Sequence, residues 1–213
     1  MRCSIKGVIV SNDDKWMYDW LGMDATSPKD IHDAIREANG EQIDIDINSG
    51  GGNVFAGSEI YAALQAYPGD VRLHIVGQAC SAASVIACAG YCDMSPTAML
   101  MIHNVSMSAS GDHRDMNHAA EVLQTANRSI ASAYRAKTGK SEDELLAYMD
   151  AETWMTAEDA VAAGFVDAIA QPAAGVRLVA ATGGLLPEET INRLQARRMS
   201  ARLELLKLKT LTN

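Results

Sequence analysis

The sequence has no long apolar run and no excess of positive charge. Its 213 residues contain no stretch of 18 or more consecutive apolar side chains, which is the length that a membrane-spanning helix needs. Acidic residues number 27 against 18 basic ones, giving a formal net charge of −9, whereas nucleic-acid-binding proteins cluster positive charge against the phosphates. We therefore expect neither a membrane protein nor a general nucleic-acid-binding protein.

The chain also lacks the marks of secretion and of cysteine-based metal binding. The first ten residues, MRCSIKGVIV, lack the basic beginning, the apolar stretch and the small-residue cleavage site of a secretory signal. We therefore expect a cytoplasmic protein. The four cysteines, Cys3, Cys80, Cys88 and Cys92, form no CxxC pair and are not spaced like zinc ligands. We expect buried, reduced thiols and no bound metal.

What the sequence does contain is an alternation of strand and helix patterns. Apolar and polar side chains alternate in IDIDI, residues 43–47, which predicts a half-buried strand. The predicted strands are Ser4–Val10, Gln42–Ile47, Val71–Val76, Ala98–Ile102 and Phe165–Ala170. The predicted helices are one beginning at Ser27-Pro28, then Val54–Tyr67, Ser81–Gly90 and Asp115–Lys137. Such an alternation indicates an α/β domain.

The pattern breaks near Gln171-Pro172. We predict one domain over residues 1–171 and a C-terminal extension over residues 172–213, with a helix at Pro187–Lys209. Acidic residues in the first turn of that helix and basic residues later suit the helix dipole. The basic residues predict a docking or assembly element, and a solvated helix face is the alternative.

A run of three glycines follows the alternating strand, in Asn48-Ser49-Gly50-Gly51-Gly52-Asn53-Val54. Glycine lets a backbone approach a ligand with no side chain in the way, and N–H groups near a helix start stabilise an anion. The plain alternative is a flexible turn between strand and helix. A phosphate loop is disfavoured because the Lys-Ser/Thr pair that should follow is missing.

A serine and a histidine each stand at the end of a predicted apolar strand. Ser81, in GQACSAA, falls at the start of a helix of small and apolar residues, where the dipole stabilises developing negative charge. Ser81 is a candidate nucleophile, a simple helix cap is the alternative, and Ser84 is the competing serine. His103 ends the strand MLMIH, and it is a candidate base or a histidine satisfied by backbone groups.

Together these segments resemble a family. INSGGGNVFAG (Ile47–Gly57) is similar to the INSPGG segment of the Clp protease proteolytic subunit, ClpP. GQACSAA resembles the GQAASMG of that family, whose serine is the nucleophile, and MLMIHN resembles its VMIHQP, which holds the base. The resemblance covers roughly Ile5 to Ala170, and the segments occur in the same order with nearly the same spacing.

The resemblance implies a serine endopeptidase with the ClpP/crotonase-like α/β fold, which is made of stacked ββα units with a protruding handle, here Val105–Lys137. It assigns Ser81 as nucleophile, His103 as base, and the N–H groups of Gly52 and Ala82 as the oxyanion hole. Gly51, Asn53 and Val54 would bind an extended polypeptide substrate, with no metal or organic cofactor. The resemblance also implies a homo-oligomeric ring, a heptamer or double heptamer, that encloses a chamber.

A third similarity to the family assigns the acidic residue that would complete a Ser-His-acid catalytic triad. The family segment RDRFLSAPEA matches the stretch 151–160, AETWMTAEDA, and aligning Trp154 with the family's aromatic residue puts Glu152 in the acid position. Asp150 has the usual residue type but lies two positions early. A dyad held by Asn104 or by a backbone carbonyl is the remaining alternative.

Some residues depart from the family pattern. Gly50 replaces the family's proline, the segment before Ile5 is short, and the tail after Pro172 is long. These changes resemble the phage members, which cleave scaffold and capsid proteins, so we expect a role in phage head maturation, with an AAA+ unfoldase as the other possible partner. Two other classes stay open: a crotonase-type acyl-CoA hydratase or isomerase, and a non-catalytic assembly protein on the same fold.

Overall fold

The computed structural model describes residues 1–171 together with residues 193, 194, 196–201 and 203. The chain divides into two compact units, one of residues 1–19 and 23–171 and one of residues 20–22 and 172–213. The helix expected at Pro187–Lys209 lies largely outside the described residues, although those that are described within it are helical. The fold below is that of the first unit.

Strands and helices alternate along this unit, as expected. The strands are β1 (Arg2–Ile9), β2 (Ala25–Thr26), β3 (Ile43–Gly52), β4 (Val71–Cys80), β5 (Tyr91–Met94), β6 (Met99–Ile102), β7 (Thr153–Met155) and β8 (Ala168–Ile169). The helices are α1 (Lys15–Leu21), α2 (Pro28–Ala38), α3 (Val54–Gln65), α4 (Ala82–Ala87), α5 (His113–Thr138), α6 (Glu142–Asp150) and α7 (Ala157–Ala162).

The strands form one sheet in the order β2-β1-β3-β4-β5-β8, with β6 paired to β4 and β7 paired to β6. All described pairs are parallel except β6–β7. In β3 the side chains of Ile43, Ile45 and Ile47 are fully buried, whereas Asp44 and Asp46 are only half-buried. The alternation in sequence therefore corresponds to one core face and one open face of the sheet.

The glycine run is part of a strand and not the flexible turn that was the plain alternative, so β3 is longer than the predicted Gln42–Ile47. Strand β3 continues through Gly52, and its last residues pair with β1 in the register Val8↔Gly51 and Ile9↔Gly52. A Cβ on Gly52 would stand 2.2 Å from the Ile9 carbonyl oxygen. The close approach of β1 therefore requires glycine here, and it holds the run in an extended conformation.

Strand β4 is also longer than expected, because it continues to Cys80 and ends directly before Ser81. All six residues of α4 are buried, as the small and apolar sequence predicts. Of the cysteines, Cys80, Cys88 and Cys92 are buried and Cys3 is partly exposed, and all four are free thiols. Burial raises the pKa of Cys88 to about 12, so that thiol stays protonated at neutral pH.

The long helix α5 is capped at both ends. The Asp112 side chain accepts hydrogen bonds from the N–H groups of Arg114 and Asp115, and the helix ends at Gly139 in the left-handed conformation. It extends the predicted Asp115–Lys137 by two residues at its start and one at its end. None of the described helices is both long enough and apolar enough to cross a membrane.

Candidate active site

Ser81 stands in a sharp turn between β4 and α4. Its backbone has φ 56° and ψ −126°, a conformation that residues with a side chain rarely adopt, and its N–H donates to the Met101 carbonyl of β6 at 3.0 Å. Ser81 occupies the N-cap position of α4, but its side chain makes no capping hydrogen bond. The hydroxyl is therefore not used to cap the helix, which removes the main alternative to a chemical role.

Ser84 lies one turn deeper and is fully buried. Its hydroxyl lies 2.6 Å from the Ser81 carbonyl oxygen, to which it donates, and 2.8 Å from the Tyr134 hydroxyl. Because the single proton of Ser84 is used in the first bond, Tyr134 is the donor in the second. Ser84 thus supports the turn at Ser81 from the core side and connects it to α5.

His103 reaches the same place from the next strand. Strand β6 pairs with β4 in the register Cys80↔Met101, so the residues after the ends of the two strands meet. Ser81 and His103 line one small pocket, whose other residues are Val54, Ala82, Val85, Asn104, Val105, Ile130 and Tyr134. Within the described residues the His103 ring has no hydrogen-bond partner, and catalytic contacts are often open in the absence of substrate.

The glycine run borders Ser81 directly. A Cβ on Gly51 would stand 2.7 Å from the Ser81 Cβ and 3.1 Å from the Ala82 backbone nitrogen. Gly51 has φ 93° and Gly52 has φ 148°, both in the range that favours glycine. The end of β3 and the start of α4 are therefore brought together with only backbone between them, as an oxyanion site requires.

The two residues expected to bind substrate beside the glycines differ in their surroundings. Val54 lines the pocket with Ser81 and His103. The Asn53 side chain instead caps α3 by accepting from the Ala56 N–H at 3.0 Å, and its own N–H donates to the Ile9 carbonyl. Of its polar groups, the side-chain amide N–H₂ is therefore the one left to meet a ligand.

The antiparallel pairing of β6 with β7 bears on which residue is the acid of the triad. Its register runs Leu100↔Met155, Met101↔Trp154 and Ile102↔Thr153. The next pair of positions, beyond the ends of the two strands, is His103 and Glu152. Glu152 has φ 47°, and its carboxylate accepts from the Trp154 indole N–H at 3.2 Å. Among the described non-glycine residues, only Asn39, Ser81 and Glu152 have positive φ, and such strain is concentrated at functional sites.

Asp150 has a different partner. Its carboxylate accepts from the Asn104 side-chain N–H₂ at 2.7 Å. The Asn104 side-chain oxygen is buried and has no hydrogen-bond partner within the described part of the chain. Burying such an acceptor without a partner costs about 1–3 kcal/mol, and this one belongs to a residue that lines the Ser81 pocket.

Sequence reasoning identified the residues on the strand ends and missed those that reach the site through long-range packing. Tyr134, on α5, lines the pocket and bonds Ser84, but its only signal in the sequence is a tyrosine on a long helix. The Asn104–Asp150 bond joins residues 46 positions apart. The two were weighed as separate alternatives, and nothing in their spacing indicates that they pair.

Comparisons with known proteins point to one family. A family model described as Clp protease matches residues 32–173. ATP-dependent Clp protease proteolytic subunit 1 of Leifsonia xyli subsp. xyli is 32% identical over 144 residues, which is 66% of this chain and 72% of that protein. The ATP-dependent Clp protease proteolytic subunit of Bacteroides fragilis (strain ATCC 25285) is 34% identical over 133 residues, 61% of this chain and 64% of that protein.

Proposed function

Because the chain belongs to the Clp protease family of serine-type endopeptidases, with the ClpP/crotonase-like fold, we propose that it hydrolyses peptide bonds with Ser81 as nucleophile and His103 as general base. The observation that carries the proposal is the state of Ser81. This residue is held at positive φ, its hydroxyl is not used to cap α4, and it shares a pocket with His103.

The mechanism is acyl transfer. His103 takes the proton of the Ser81 hydroxyl as Ser81 Oγ attacks the scissile carbonyl carbon, and it then gives that proton to the leaving amine. Water hydrolyses the acyl-enzyme by the same route. The N–H groups of Gly52 and Ala82 hold the oxyanion, and one such donor contributes about 2.7–4 kcal/mol to transition-state stabilisation. Glu152 orients the imidazole, as the β6–β7 register favours.

The substrate is a polypeptide in extended form. We place its main chain beside Gly51, Asn53 and Val54, with one side chain packed against the apolar residues Val54 and Val85 next to Ser81. An apolar surface of this kind favours apolar side chains without strong discrimination. A peptidase of such broad specificity needs physical separation from folded proteins, which a closed chamber provides.

We propose that the chamber is a homo-oligomeric ring, a heptamer or double heptamer, in which Val105–Lys137 is the handle. Helix α5 forms most of this segment, and the first half of this helix carries exposed apolar side chains such as Met116 and Val122. In this proposal residues 1–171 are the peptidase domain, and residues 172–213 dock partners or assist assembly. Mass photometry at micromolar concentration tests the ring, and a fully active monomer would contradict it.

For the natural substrates we propose phage scaffold and capsid proteins. The support is the set of departures from the family pattern, above all Gly50 in place of proline and the long basic segment after Pro172. An AAA+ unfoldase that feeds the chamber is the second candidate, and it is supported by the names of the bacterial relatives, which are ATP-dependent. Incubation with purified phage scaffold protein, with and without an unfoldase and ATP, separates the two.

The experiment that tests the activity uses a fluorophosphonate probe and a fluorogenic peptide. The wild type should be labelled and should cleave the peptide, and Ser81→Ala should lose both while keeping its fold and assembly. Ser84→Ala is the matched control, because it removes the neighbouring hydroxyl and should still be labelled. Peptide cleavage by Ser81→Ala would refute the assignment, and an unlabelled wild type would favour the non-catalytic or crotonase-type alternatives.

A further inference from the structure

The orientation of the Asn104 side chain is fixed by its partner. An ionised carboxylate only accepts hydrogen bonds, so the 2.7 Å contact with Asp150 Oδ1 must come from the Asn104 N–H₂ group. The side-chain oxygen is then the other end of the amide, and it is the buried atom without a partner. Asp150 therefore holds Asn104 so that an acceptor is presented on the side away from the carboxylate.

Several of the nearby donors are already used, and the Ser81 hydroxyl and the His103 ring, which have no partner among the described residues, are assigned to the reaction. The Val105 N–H donates to the Asn127 side chain at 2.8 Å, and the Ser81 N–H donates to the Met101 carbonyl. The Tyr134 hydroxyl is bonded to Ser84. Most other residues that line the pocket are apolar and bring no side-chain donor. A buried acceptor beside a nucleophile is therefore left for a donor that arrives with a ligand.

The position of Asp150 supports a dedicated role. It is the last residue of α6, at the negative end of the helix dipole, where a carboxylate is electrostatically disfavoured. Its bond to the Asn104 amide gives a reason for an acidic residue at this place. The bond also reaches across from α6 to the segment that carries His103, so it connects two elements that both border the site.

We propose that Asn104 is a substrate-binding residue, whose side-chain oxygen accepts a main-chain N–H of the bound peptide, and that Asp150 is the positioning residue that orients it. This inference rests on the proposed peptidase function. A main-chain donor fits the site because every extended polypeptide supplies one at each residue, whatever its side chains. Asp150 then acts through Asn104 and not as the acid of the triad.

The first test replaces single N–H groups of the substrate. A fluorogenic peptide is made in which each non-scissile amide in turn becomes an ester, which removes the N–H and keeps the chain length. In the wild type, one ester position should lower kcat/KM about tenfold, mainly through KM. The Asn104→Leu variant should lose about tenfold on the parent peptide and nothing further at that position. Additive losses at every position would overturn the proposal.

The second test uses Asp150, so that the proposal does not depend on the folding of one variant. Asp150→Asn keeps an oxygen that accepts from Asn104 and should retain kcat/KM within about threefold, whereas Asp150→Leu should show the same tenfold loss as Asn104→Leu. A pH profile of kcat/KM that is unchanged in Asp150→Leu separates positioning of Asn104 from an effect on His103. A shifted profile, or a large loss in Asp150→Asn, would overturn the proposal.

Labelling distinguishes failure of this inference from failure of the proposed function. A small fluorophosphonate carries no peptide main chain, so Asn104→Leu should lower peptide kcat/KM about tenfold more than it lowers the labelling rate. If the wild type is neither labelled nor active, the peptidase function itself is wrong. If it is active and Asn104→Leu slows labelling as much as peptide cleavage, only the role of Asn104 is wrong.

Discussion

Gly51 lies directly against Ser81, so closely that a Cβ on Gly51 would stand 2.7 Å from the Ser81 Cβ. It would also stand 2.6 Å from the Cys80 carbonyl oxygen. These contacts are with backbone and with the base of a short side chain, neither of which can move aside easily. The glycine run thus sets the distance between the end of β3 and the turn at Ser81.

Gly51→Ala should therefore abolish most of the activity. The added methyl group would push the Ser81 turn away from β3, and φ 93° at Gly51 is unfavourable for alanine. A displacement of about 1 Å is enough to cost about a hundredfold in rate, so we expect at least that loss in kcat/KM. Gly50→Ala is the matched control, because its Cβ would meet only the Gln78 side chain, at 3.9 Å. Comparable losses in both variants would contradict this role for Gly51.

The backbone conformation of Ser81 should also lower the stability of the folded protein. A residue held at an unfavourable φ and ψ costs of order 1–3 kcal/mol, and glycine removes that strain. Ser81→Gly should therefore raise the free energy of unfolding by about 1 kcal/mol in urea denaturation, although it abolishes turnover. Ser81→Ala also lacks the hydroxyl but keeps the Cβ, so it should show no such gain. Equal stability of the two variants would mean that the turn is not strained.

The acid of the triad is tested by exchanging each carboxylate for its amide. Glu152→Gln should lower kcat by about a thousandfold or more, because an amide cannot stabilise the imidazolium that forms on His103. Asp150→Asn should change kcat little, since its contact is with Asn104. Turnover of a chromogenic peptide measures both variants. A large loss in Asp150→Asn alone would reverse the assignment, and little loss in either would favour a dyad.

Local patterns predicted most of the fold, and long-range pairing decided the rest. The alternation at Ile43–Ile47 and the proline after Ser27 predicted β3 and the start of α2, because each depends only on neighbouring residues. Strands β5 and β7 were missed, since their four and three residues are too few to show a period. They form because β4 and β6 offer edges to pair with.

The same distinction applies to the candidate site. Ser81 and His103 follow strands that are legible in the sequence, so they could be named and assigned from the residues and the family resemblance. The resemblance favoured Glu152 over Asp150 as the acid, but two observations that bear on this choice, the β6–β7 register and the partner of Asn104, come only from the structure. Spacing along one chain contains neither of these facts.

A charged network lies on the open face of the sheet, away from the pocket. The His74 ring lies between two carboxylates, with Nδ1 2.9 Å from Asp93 and Nε2 3.2 Å from Asp44. Burial alone would lower the pKa of His74, but the hydrogen bonds and charges of Asp93 and Asp44 outweigh it and raise that pKa. Asp46, opposite His74 in the register, is paired with Arg2. The His74 ring therefore links β3, β4 and β5.

The sign of the pH dependence follows from the direction of the shift. A raised pKa in the folded state means that His74 contributes stability below its unfolded pKa of about 6.5, and that this contribution is lost as the pH rises through the higher folded value. Hydrogen bonds to charged groups contribute about 1.5–3 kcal/mol each. His74→Phe should therefore destabilise the protein by that order at pH 6 and by clearly less at pH 9, as measured by urea denaturation. His32→Phe is the control, because its exposed ring has one carboxylate, Glu59, at 3.4 Å. A destabilisation by His74→Phe that is the same at both pH values would show that His74 is not charged in this network.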